Sequence, residues 1–213
     1  MEIYKTLAPA MLNPRSYEAY RSVVEELVRQ QKTTGPEQTE ERIGYTRLNL
    51  QRMKRVEKQF EPLPELEALL LLHQPAWHWV VLAESWCGDG AQLIPAIAAV
   101  AGAAPGITLR VLLRDENPNW MDSCLTNGSR AIPKLICTAV ETGERLFTWG
   151  PRPTALQEQL NRYKAETPGA SSAEVATHLH TMYAQDRSRA LQQDLLALVR
   201  KALQVEEKVL AVG

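Results

Sequence analysis

Residues 80–90, Val-Val-Leu-Ala-Glu-Ser-Trp-Cys-Gly-Asp-Gly, constrain this chain more than any other stretch. An apolar run of β type ends in Trp86-Cys87. A turn containing Gly88 and Gly90 follows, and then Leu93, Ile94, Ile97 and Ala98 recur at helical spacing. A buried strand feeding straight into a helix commits this region to an α/β architecture. It also puts Cys87 at a helix N-terminus, where the first N–H groups lack internal partners and the positive end of the dipole lies. That position favours thiolate over thiol, so thiol chemistry at Cys87 is the chemistry to expect.

The rest of the chain supplies a frame for that unit. Asn13-Pro14 reads as a helix start, with Tyr17, Tyr20, Val24, Leu27 and Val28 at helical spacing up to about Gln31. A second helix is predicted from about Glu37 to Gln59, with Ile43, Leu50, Met53, Val56 and Phe60 on one side. Its other face carries Arg42, Arg47, Arg52, Lys54, Arg55 and Lys58, to be read as solvated surface or as a docking face for an acidic partner. A short helix follows Pro64. Trp77 to Ala83 then reads as a strand, Asp89 to Ala101 as a helix, Ile107 to Leu113 as a strand and Asn119 to Leu125 as a short helix. Lys134 to Thr138 and Arg145 to Thr148 make two further strands around a Gly143 turn, and a helix runs on through Tyr163. The order β-α-β-α-β-β-α implies one mixed sheet with helices on both faces. From Ser172 to Leu210 a single rod would be roughly 60 Å long. The apolar rhythm falters at Asp186-Arg187-Ser188-Arg189. Either the helix bends there, or it protrudes and pairs with its counterpart in a homodimer.

Composition narrows the partners. With a formal net charge of −1 there is no global electrostatic case for nucleic acid or an anionic membrane. No run approaches the roughly twenty apolar residues of a membrane span. Met1-Glu2-Ile3-Tyr4-Lys5 lacks a secretory pattern, and three cysteines argue against a disulfide framework. A cytoplasmic location is the expectation. His178 and His180 point to different faces of one helix and make a poor metal pair, His73 and His78 flank a proline, and no metal or other cofactor is expected.

The ordered set of motifs resembles thioredoxin from about Trp77 to Tyr163. Trp86-Cys87-Gly88-Asp89-Gly90 lines up with the family's Trp-Cys-Gly-Pro-Cys, Pro95 with the proline of its active-site helix, and Gly128 to Pro133 with the segment entering its cis-proline. Gly150 matches a glycine after the last strand, and the flanking helices look like those of a bacterial branch of thioredoxin-like proteins. The resemblance implies a thioredoxin-like three-layer sandwich at 75–166, with helical extensions at 1–74 and 167–213. It makes Cys87 the attacking thiol, with Trp86, Gly88, Asp89, Ile132 and Pro133 shaping a site for a protein disulfide.

Three positions depart from the family. Gly90 stands where the resolving cysteine belongs, Asp89 replaces the proline and opposes a thiolate, and Val81 replaces a buried carboxylate. Cys87 would then act as a monothiol resolved by glutathione or another small thiol. Internal resolution by Cys124 needs the two Cα atoms within about 7 Å, while Cys137 reads as core. The other class of function is a redox-silent binding or scaffold module that holds a protein partner at the Trp86 and Pro133 surface.

Overall fold

The computed structural model describes residues 11–210, with side chains through residue 205. Four strands form one sheet in the order β2-β1-β3-β4, where β1 is Trp77–Ala83, β2 Ile107–Leu113, β3 Lys134–Ala139 and β4 Arg145–Trp149. β1 runs parallel to β2 and antiparallel to β3, and β3 is antiparallel to β4. Six of β1's seven residues are buried. Apart from the exposed His78, its sequence is an apolar run, because helices and side chains cover it from both sides.

The two faces are covered unequally. Odd-numbered β1 residues (Trp77, Trp79, Val81, Ala83) join the main core, which draws on every helix of the chain except the shortest. Among these are α1 (Tyr17–Arg29), α2 (Glu40–Gln59), α3 (Pro64–His73) and α4 (Gly88–Gly102). Even-numbered residues Val80 and Leu82 face a smaller cluster with Leu112, Ile136 and Cys87, closed by α5 (Pro118–Asp122) and Met11. α6 (Thr154–Glu166), α7 (Ser172–Asp186) and α8 (Arg189–Leu210) complete the chain. None of the helices in the described residues is long and apolar enough to cross a membrane.

One local expectation needs correction, and one pair of alternatives is decided in favour of the bend near Asp186. Asn13-Pro14 does not start a helix: Asn13 has φ 51°, and α1 begins at Tyr17, with the Ser16 hydroxyl capping Ala19 N at 3.2 Å. Arg15 is held extended by a bridge to Val111, so the helix cannot begin until that pairing ends. The C-terminal segment is not one rod. Arg187 (φ 51°) and Ser188 (φ 64°) take the left-handed conformation between α7 and α8, a break that a straight helix cannot absorb. After the break α8 returns to its own chain. Leu191, Leu195 and Val199 are fully buried among α3, α6 and β4. The Gln192 side chain accepts from Leu63 N at 2.6 Å and donates to Glu61 O at 3.0 Å.

Candidate functional site

Cys87 is the N-cap of α4. Its backbone is extended (φ −76°, ψ 112°), and its sulfur accepts from Gly90 N at 3.4 Å, taking one of the N–H groups a helix start leaves open. On the other side the Sγ–H donates to the carbonyl of Ile132 at 3.4 Å. The Ile132–Pro133 bond is cis, so the segment expected to face the cysteine does so, forty-five residues away in sequence. Gly150 secures that loop. It lies at φ +109°, and a Cβ there would fall 2.4 Å from the Pro133 carbonyl oxygen, so only glycine fits. Lys134, 6% exposed, donates to Thr126 Oγ1 (2.7 Å) and to the Gly150 carbonyl (3.0 Å). Nothing in its alternating-strand context marked it as a buried cation tying two loops together.

The thiol's protonation reverses the expectation from helix position. Burial pushes the Cys87 thiol up to about 12, and the Asp89 charge pushes the same way, against weaker help from the Gly90 and Asp89 N–H groups and from Arg152. The dipole end does reach the sulfur. Desolvation outweighs it, because the cluster around Cys87 is apolar and Met11 and Trp86 pack against it. Met11 therefore adds to the apolar surroundings of the thiol.

Asp89 does not act on Cys87 alone. Its carboxylate takes Arg152 in a two-point pair (Nε–Oδ1 3.1 Å, Nη2–Oδ2 2.8 Å), and Tyr183 Oη donates to Oδ1 at 2.8 Å. Both partners lie in the C-terminal third and escaped sequence reasoning, since neither carries a spacing signal to the turn. Gly88 is equally constrained. A Cβ there would come within 2.8 Å of the His180 ring and 3.2 Å of Arg52 Nη1, so α2 and α7 close directly on the backbone of the turn. His180 Nδ1 sits 3.2 Å from Gln92 Nε2. Burial first, then Arg52, Arg55 and Arg152, lowers its pKa to about 4, leaving it neutral. His178 points elsewhere and stacks on Tyr163 at 3.7 Å.

A buried hydroxyl cluster clamps the residue two before the cysteine. Ser85 Oγ lies within hydrogen-bond distance of Thr33 Oγ1 (3.1 Å), Thr34 N (3.0 Å) and Thr46 Oγ1 (3.0 Å), while Ser85 N donates to Thr34 Oγ1 (2.8 Å). Asn49 Nδ2 donates to the Ser85 carbonyl at 2.9 Å and its Oδ1 accepts from Arg52 at 2.8 Å. These Thr and Asn residues looked like ordinary loop and helix polarity in the sequence. Trp86 is half-buried, packs against the small apolar cluster and has two guanidinium groups near its ring, Arg42 at 4.4 Å and Arg114 at 5.0 Å.

Of the other cysteines, Cys137 is fully buried in the main core. Cys124 belongs to the same small cluster as Cys87, but from the turn after α5 its thiol points back to that helix, 3.3 Å from the Trp120 carbonyl and 3.5 Å from that of Met121. Gly90 could hold a larger side chain: its Cβ would meet Ile94 Cδ1 at 3.4 Å and Cys87 Cβ at 3.6 Å, both ordinary contacts.

A family model described as thioredoxin matches residues 35–165, more than half of the chain. The match begins ahead of α2, so it takes in the helix that clamps Ser85. Two solved structures share the fold. One is a protein of unknown function from Pseudomonas aeruginosa, 16% identical, with a TM-score of 0.53 over 88% of this chain and 99% of its own. The other is an HIV epitope-scaffold, also 16% identical, with a TM-score of 0.53 over 87% of this chain and 98% of its own. No curated protein matches.

Proposed function

The chain belongs to the thioredoxin family, and on that premise we propose that it is a slow single-thiol disulfide exchanger centred on Cys87. The observation that carries this reading is the position of the sulfur, which takes an α4 N-terminal N–H and lies 3.4 Å from the carbonyl that precedes the cis-proline. In the first step deprotonated Cys87 attacks one sulfur of a partner disulfide. The Cys87–S bond forms, the partner's S–S bond breaks, and the departing thiolate takes up the proton that Cys87 lost. No second cysteine follows at position 90, so an external thiol completes the cycle. A small thiol such as glutathione attacks the mixed disulfide, leaves bonded to the partner sulfur, and returns Cys87 to its reduced state. The raised thiol pKa sets the pace: at neutral pH only a small fraction of Cys87 is thiolate.

That same raised pKa favours a second reading, a redox-silent module that binds a protein partner beside Trp86 and Pro133. Incubation with glutathione disulfide at pH 8, followed by intact-mass and peptide analysis, separates the two. Exchange predicts a glutathione adduct on Cys87 that excess glutathione removes. The Asp89→Asn variant should form it roughly tenfold faster, equivalent to about one unit of thiol pKa. A Cys87 that stays unmodified in both proteins rejects exchange and leaves the binding module.

A further inference from the structure

Between α2 and α7 lies an open groove of about 770 Å³, floored by Gln92 of α4. This is within the roughly 300–1,000 Å³ of small-molecule sites. Its polar lining is Arg52, Arg55, Gln92 and His180, together with neutral amides and hydroxyls; among the described residues no carboxylate lines it. Tyr45 (42% exposed) and Leu48 (41% exposed) stand at its edge as two of the larger uncovered apolar side chains.

The two guanidinium groups are unlike the other arginines of α1 and α2, apart from the exposed Arg47. Arg21, Arg29 and Arg42 each pair with a glutamate. Arg52 instead donates to the Asn49 amide oxygen at 2.8 Å, and Arg55 to the Gln92 amide oxygen at 2.7 Å. Among the described residues neither has an ion pair. Asp89, whose charge Arg52 feels, has its oxygens taken by Arg152 and Tyr183. Half-buried cations held by neutral partners retain donors for an anion, and guanidinium forks match planar oxyanions at two points.

We propose that this groove is a binding site for a small organic oxyanion, a carboxylate or a phosphate ester. Arg52 and Arg55 hold the charged group, and the Tyr45 and Leu48 edge holds the apolar body. The uncharged His180 ring and the Gln92 amide line the inner wall, where His180 and Arg52 press on Gly88. The site does not rest on the exchange reading, because none of these groups depends on the thiol.

Titration calorimetry at low ionic strength tests it on the full chain, with glutarate and phenyl phosphate as probes and neutral glutaramide as control. At least one oxyanion should bind saturably, and which one does separates carboxylate from phosphate recognition. Arg52→Gln/Arg55→Gln should weaken it by at least about tenfold, whereas Lys54→Gln/Lys58→Gln, the same charge loss on the same helix, should not. Ala176→Glu, which brings a carboxylate into the groove while both arginines remain, should abolish binding even if the arginine pair variant folds poorly. Cys87→Ser should bind as the parent does. Absence of saturable binding by both probes, or equal weakening in the lysine control, overturns the proposal.

Discussion

The two walls beside Cys87 are built from different materials. Toward α2 and α7 the turn is held by polar groups: Ser85 in a web of threonine hydroxyls, Asp89 in a pair with Arg152 and Tyr183, and Gly88 under His180 and Arg52. Toward the cis-proline the wall is apolar, made of Trp120, Met121 and Ile132. The sulfur looks into the apolar wall. The positive charges stand on the polar one, where Asp89 already occupies Arg152. A thiolate is stabilised by charge it can reach and penalised by water it loses, and here the lost water outweighs the charge within reach. Family membership therefore fixes where the cysteine stands, while the surroundings decide how reactive it is.

The sharpest way to break this contrast is to give the turn its missing partner. A Cβ at position 90 would lie 3.6 Å from Cys87 Cβ, inside the range of about 3.5–4.5 Å that a disulfide spans. Gly90→Cys should form a bridge to Cys87 under mild oxidation, so both thiols resist alkylation until a reductant is added. A variant in which Cys87 stays alkylatable after oxidation would mean that the turn cannot close.

The walls should also differ in what they cost to damage. Ser85→Ala leaves buried threonine hydroxyls and the Thr34 N–H short of a partner, and should lower stability by about 1–3 kcal/mol in urea unfolding. Ile132→Val on the apolar wall removes one methylene and should cost about 0.5–1.5 kcal/mol. If the valine variant proves the weaker protein, the polar wall is not the stronger clamp.

The smallest expected effect concerns pH. His180 has a folded pKa near 4, below its ordinary value of 6.5, so the unfolded chain binds a proton that the folded chain refuses. Its contribution to stability is complete above about pH 6.5 and is lost as pH falls toward 4. The midpoint temperature of the parent should fall more steeply across this window than that of His180→Gln. Parallel profiles would show that His180 is not held neutral by its surroundings.

Much of the site was legible because its signals are local. A buried strand ending in Trp86-Cys87, glycines in the turn and a helical apolar pattern after it need only neighbouring residues to be recognised. The Ile132-Pro133 segment was found through the ordered family motifs. The break near Asp186 showed as a fault in periodicity, although two left-handed residues there, and burial of the face beyond them, came from packing. Asn13-Pro14 misled because a cap signal says nothing of the bridge from Arg15 to Val111 that keeps the chain extended.

By itself the sequence determined that a single cysteine caps a helix in a thioredoxin-like α/β core and that position 90 offers no resolving thiol. Both are properties of residue identity and short spacing. Tertiary structure alone decided that this thiol rests protonated, that Asp89 belongs to Arg152 and Tyr183, and that Arg52 and Arg55 face a groove that no carboxylate of the described residues lines. Those outcomes depend on groups far apart along the chain, 94 residues in the case of Asp89 and Tyr183, sharing one low-dielectric neighbourhood. Desolvation and charge pairing act through space, so no local pattern along the chain encodes them.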